Sequence, residues 1–161
     1  MTKSLPRLAL VLAGIALLGT GCTTGSLKFS NPALESRKNE VAFVPATTVD
    51  GMISEYAATY GVPEALVRRV VQKESKFNPN ARNGPYWGLM QIRHDTAKSM
   101  GYQGTASGLL DPRQNLTYGV KYLRGAYLVA GKDADRAMRF YASGYYYDAK
   151  RKGLLKEIYG K

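Results

Sequence analysis

The chain has 161 residues, enough for one domain with its own core plus an appendage at one end. Its single cysteine excludes an internal disulfide framework and a cysteine-based zinc site, and its single histidine, His94, excludes histidine-cluster metal chemistry. The formal net charge of +11 fits a solvated basic surface or a polyanionic partner. There is no Gly-Lys-[Ser/Thr] phosphate loop and no zinc-finger or RNA-binding signature, so the charge does not argue for nucleic acid.

In chain order, Lys3 and Arg7 form a short positive segment, and Leu8 to Leu18 is an uncharged apolar run. That run is too short to span a bilayer as a helix but suits the apolar part of a signal peptide. Gly19-Thr20-Gly21-Cys22 follows. Cys22 is either an incidental free thiol or the lipid-modified first residue of a mature lipoprotein. The stretch resembles the bacterial lipoprotein signal, with Gly19 standing where Leu is usual. That resemblance implies a lipid anchor at Cys22 rather than a membrane span. With Thr23 rather than Asp after the cysteine, it also implies export to the periplasmic face of the outer membrane. Removing residues 1–21 takes only Lys3 and Arg7 with it, so the basicity belongs to the mature chain. Residues 22–48 are polar and aperiodic and read as a tether.

From 49 to 161 the pattern is helical. Asp50 can cap a helix carrying Met52, Ile53, Tyr56, Ala57 and Tyr60 on one face, stopped by Gly61. Pro63 suits the first turn of a second helix that runs to Ser75. Residues 76–95 are broken by Pro79, Gly84, Pro85 and Gly88 and read as loop. A short helix is predicted over 95–100. A longer one is opened by Asp111-Pro112 and reaches about Ala130. Another runs from near Asp133 to about Ser143, and a last one covers 146–158. No stretch alternates as a strand should. The fold class is mostly α.

Leu66, Val70 and Glu74 lie at i, i+4 and i+8 of the second helix, so Glu74 extends its apolar stripe at the C-terminal end. Partial burial and the negative helix end both raise the pKa of such an acid. A carboxyl that keeps its proton near neutral pH can act as a general acid. From periodicity alone, a rim glutamate paired with a basic residue is the simpler reading.

The neighbouring blocks change that weighting. Glu74-Ser75-Lys76-Phe77-Asn78-Pro79 is followed by Gly88-Leu89-Met90-Gln91, and then by Asp111-Pro112-x-x-Asn115 and Gly119-x-x-Tyr122-Leu123. These ordered blocks resemble the soluble lytic transglycosylase family over roughly residues 50–147. The resemblance implies a lysozyme-like helical fold and cleavage of peptidoglycan glycan strands. It implies that Glu74 is the single acid and base, that a 1,6-anhydromuramoyl end forms, and that no metal or organic cofactor takes part. A hydrolase on the same fold and a non-catalytic peptidoglycan-binding lipoprotein are the alternatives.

By the same resemblance Met90 and Gln91 line the sugar cleft, and Gln91 offers both donor and acceptor there. Ser75 either hydrogen-bonds near the cleaved bond or caps its helix. Tyr141 matches the Tyr of a fourth block, Tyr-Asn-x-Gly, and is expected beside Glu74. Ala142 replaces the Asn of that block. Asp111, Pro112 and Asn115 are read as organising a helix start, and Asp95 as a helix cap. Among 12 tyrosines, Tyr146 is a further candidate for sugar contact; Tyr86 and Trp87 are weaker ones. The expected partner is the glycan strand, met by a monomer.

Overall fold

The computed structural model describes residues 46–160. The signal segment, Cys22 and all but the last few residues of the tether lie outside the described residues. Helix α1 spans Val49–Tyr60. Its cap is Thr48, whose Oγ1 accepts from the Gly51 amide at 3.0 Å, and not Asp50 as predicted. Asp50 sits in the first turn and pairs with Arg68, which also holds Glu64 at 2.7 Å. Helix α2 spans Glu64–Ser75, with Pro63 one position before its first turn rather than inside it. Leu66, Val67, Val70 and Val71 are fully buried along one face. Fully burying a side chain of this size contributes about 2 kcal/mol, so this face seats α2 firmly in the core.

Helix α2 is stopped by two consecutive non-glycine residues in the left-handed region, Lys76 (φ +52°) and Phe77 (φ +63°). The segment predicted as loop then contains a small antiparallel sheet. Its strands are β1 (Arg82–Asn83), β2 (Tyr86–Trp87) and β3 (Ile92–Arg93), in the order β1-β2-β3. Arg82 pairs with Trp87, and Tyr86 with Arg93. Two-residue strands are too short to show alternation, so no periodic signal could reveal them.

Helix α3 covers His94–Ser99. Arg93 occupies its cap position without a side-chain bond, so Asp95 is not the predicted cap. Asp95 is exposed in the first turn and faces Arg93 at 3.4 Å. A 3-10 helix over Ala106–Leu110 leads into α4, Pro112–Val129. Here Asp111 caps as expected, accepting from the Gln114 amide at 2.8 Å. Helix α4 is the axis of the domain: α1, α3, the 3-10 helix and the three helices that follow it pack around it. Helix α5 spans Ala134–Ser143 behind an Asp133 cap. The last predicted helix is two pieces, α6 (Tyr146–Arg151) and α7 (Leu155–Tyr159). Gly153, at φ +69°, separates them.

The main core joins α1, α2, α4 and α5 with Leu89, Met90, Tyr145 and Ile158. A second cluster of Ile92, Ala97, Tyr102 and Leu109 seats the sheet and α3. None of the described helices is long and apolar enough to cross a membrane.

Candidate active site

Glu74 lies in the last turn of α2, half-buried between the core face and the cleft. Among the described residues its carboxylate forms no hydrogen bond or ion pair. Burial pushes its pKa up, and the charge of Lys73 pulls partly against this. Next to it, Ser75 is buried and its Oγ donates to the Val71 carbonyl at 3.1 Å. Of its two predicted roles, the structure gives Ser75 the local backbone bond.

The opposing wall is Gly88-Leu89-Met90-Gln91. It is held by Asn115, which is 0% exposed on α4. Asn115 Oδ1 accepts from the Met90 amide at 2.8 Å. Its Nδ2 donates to the carbonyls of Trp87 and Leu109, each at 2.7 Å. One buried amide thus bonds three backbone groups from three different segments. The expected helix-start role of Asn115 is therefore too narrow. Gly88, at φ +68°, has the Asn115 amide and the Leu109 carbonyl where a Cβ would stand. Gly119 on α4 leaves room for Met90 Sδ in the same way.

This packing corrects the reading of Met90. Its side chain is 0% exposed in the core against Gly119 and cannot touch a sugar. What it gives the cleft is its carbonyl, which accepts from Tyr141 Oη at 2.8 Å. Gln91 does line the cleft, with a left-handed backbone at φ +46°. Its Nε2 donates to Ala81 O at 3.0 Å and Gly88 O at 2.9 Å. Both amide protons are used on the wall, so Gln91 is left with Oε1 as an acceptor, not the donor and acceptor expected.

A cavity of about 370 Å³ is lined by Glu74, Lys73, Asn83, Tyr86, Gln91, Tyr141 and Ala142. The Tyr141 hydroxyl is buried, and desolvation and then the Glu74 charge raise its pKa well above the ordinary value. It stays a neutral phenol beside the acid. Glu74 is the one acid lining this cavity and its neighbour among the described residues. The neighbour, about 260 Å³, shares Tyr86, Gln91, Tyr141 and Ala142 with the first and adds Arg93, Thr96 and Tyr122. A third, about 480 Å³, shares Thr96 and Tyr122 with the second. The three form one groove. Tyr146 lines the third section and not the Glu74 cavity. Trp87 lies under the Arg82 guanidinium, 4.2 Å from ring centroid to Cζ, and lines no section.

Asn83, Thr96 and Tyr122 were missed as groove residues. A signal existed for the first: Gly84-Pro85 joins β1 to β2 as a two-residue hairpin loop, with Gly84 at φ +57°. That turn carries Asn83 and Tyr86 to the cleft. Thr96 and Tyr122 lie on helices that meet only in the tertiary structure.

The family model of the transglycosylase SLT domain matches residues 51–156. A similar protein is the membrane-bound lytic murein transglycosylase C of Shigella sonnei, strain Ss046, at 33% identity. That match covers 56% of this chain and 31% of the relative. The crystal structure of the 70 kDa soluble lytic transglycosylase from Escherichia coli superposes with a TM-score of 0.57 at 24% identity. It covers 69% of this chain and 18% of that one, and it shows the shared fold. The chain therefore spans less than a third of the length of either protein. With the family model covering most of the described domain, including Glu74 and both walls of its cleft, the chain belongs to the transglycosylase SLT domain family.

Proposed function

We propose that the domain is a peptidoglycan lytic transglycosylase in which Glu74 is both acid and base. The observation that carries this reading is the half-buried Glu74, the one acid lining its cavity and the adjoining section among the described residues. Glycosidases that add water work with two carboxylates, one as acid and one as nucleophile or base. With one acid in the cavity, a hydroxyl of the substrate itself is the simplest source of the attacking oxygen. Protonated Glu74 gives its proton to the glycosidic oxygen between N-acetylmuramic acid and N-acetylglucosamine as the C1–O bond breaks. The resulting carboxylate takes the proton of the muramoyl 6-hydroxyl as that oxygen bonds to C1. A 1,6-anhydro ring forms, Glu74 regains its proton, and no water is consumed. The raised pKa keeps the proton available for the first step, and Lys73 steadies the carboxylate for the second. Tyr141, bonded to Met90 O, holds the cleft wall beside the acid.

The test is mass spectrometry of muropeptides released from purified peptidoglycan. Anhydro ends, one water lighter than reducing ends, support the reading. Reducing ends assign the domain as a hydrolase, and no release beyond a buffer control removes the enzymatic reading.

The chain is further proposed to be exported and held at the periplasmic face of the outer membrane by lipid on Cys22. The apolar run before Cys22 and the words "membrane-bound" in the relative's name support this. Cys22→Ala should move the protein from the membrane to the soluble fraction. Membrane retention of that variant would count against the anchor.

A further inference from the structure

A further cavity, of about 390 Å³, opens on the outer seam between α2 and α5, outside the groove. It is lined by Arg68, Arg69, Gln72, Lys73, Phe77 and Met138. Phe77 and Met138 are half-buried against the main core and form an apolar floor. The left-handed backbone that ends α2 holds Phe77 there. No carboxylate lines this cavity among the described residues. Its three cations are unequally engaged. Arg68 meets two carboxylates, Asp50 and Glu64. Arg69 meets Asp135 alone, at 2.8 Å, in a pair exposed on both sides, which holds its partners weakly. Lys73 has no ion pair among the described residues.

We propose that this seam binds the acidic peptide carried on the lactoyl group of a muramoyl sugar held at Glu74, so that the domain prefers peptide-bearing strands to stripped ones. The proposal rests on the proposed function. The seam leads into the Glu74 cavity along both helices. One turn after Arg69, Lys73 lines both cavities, and one turn after Met138, Ala142 lines the Glu74 cavity. A branch leaving the sugar sideways therefore meets Lys73 first and Arg69 next. The two cations suit carboxylates, and the floor between them suits small apolar side chains. A lipid surface would call for protruding apolar groups, whereas Phe77 and Met138 lie at the floor.

The test uses the Glu74→Gln full chain, which keeps ligands intact, and calorimetry with glycan fragments of one length. The fragments carry the peptide, carry it with its carboxylates amidated, or lack it. The acidic peptide should raise affinity about tenfold, and amidation should remove that gain. Arg69→Gln, which gives up only an exposed ion pair, should also remove most of the gain and leave affinity for the peptide-free fragment unchanged. NMR should show the Met138 methyl signal moving with the acidic peptide only. The proposal is overturned if the peptide gives no gain, if the gain survives amidation or Arg69→Gln, or if Arg69→Gln weakens the peptide-free fragment equally. It is also overturned if vesicles of anionic phospholipid move the Met138 signal and the peptide does not. Because binding is read without turnover, a failure of this proposal is distinct from a failure of the enzymatic reading.

Discussion

The two walls of the Glu74 cleft are built differently. The Gly88–Gln91 wall is stapled to α4 by one fully buried asparagine and closed behind by Met90 on Gly119. The wall at the end of α5 has Ala142, Ser143 and Gly144 exposed, and its link across to the first is the Tyr141–Met90 hydrogen bond. The Ser143 hydroxyl donates back to Arg139 O at 2.9 Å and does not replace the amide absent at Ala142. One wall thus takes its position from the core. The other rides on the end of α5, which packs on α4 in the main core, and is tied across the cleft by one phenol, so its exposed residues are free to vary in chemistry without loss of the fold.

Breaking the stapled wall should have the largest effect on stability. Asn115→Ala strands the Met90 amide and the Trp87 and Leu109 carbonyls, and unfolding in denaturant should show a loss of about 3 kcal/mol or more. Gly119→Ala places a methyl against Met90 and should cost about 2 kcal/mol by the same assay. Unhooking the second wall is milder. Tyr141→Phe should lose about 1 kcal/mol of stability, while muropeptide release falls about tenfold because the wall beside the acid shifts. Ser75→Ala should change stability by no more than about 0.5 kcal/mol, since its hydroxyl bonds a carbonyl of its own helix. A large loss of release in that variant would restore a substrate contact for Ser75.

Glu74 itself gives a pH signature. Its carboxyl titrates higher in the folded domain than in the unfolded chain, because burial penalises the charged form. Between those two pKa values the folded state binds more protons, so stability falls as pH rises through that window. Glu74→Gln removes this penalty. The variant should be more stable than wild type at neutral pH, and the difference should vanish below the ordinary glutamate range. A variant equally or less stable at pH 7 would mean that the acid is not held against its preference.

Much of this was legible in the chain because it depends on local rules. Asp111-Pro112 and Gly131 bracket α4 through capping and backbone geometry, and the i, i+4 spacing puts Glu74 at the end of a buried stripe. The misses share a different cause. That Met90 turns inward while Gln91 lines the cleft depends on the left-handed backbone of Gln91 and on Gly119, 28 positions after Gln91. The two-residue strands rest on backbone pairing alone. The separation of Tyr146 from Glu74 is set by how α6 and α7 dock on α4, with Gly153 dividing a segment that apolar spacing alone reads as one helix.

The central claim is that one half-buried carboxylate performs both proton transfers. The most direct measurement is the rate of anhydro-muropeptide release by Glu74→Gln, with its fold verified by circular dichroism, against wild type. Removing a group that acts as both acid and base should lower the rate by about a thousandfold or more. A folded Glu74→Gln variant that retains a tenth of wild-type activity would contradict the account.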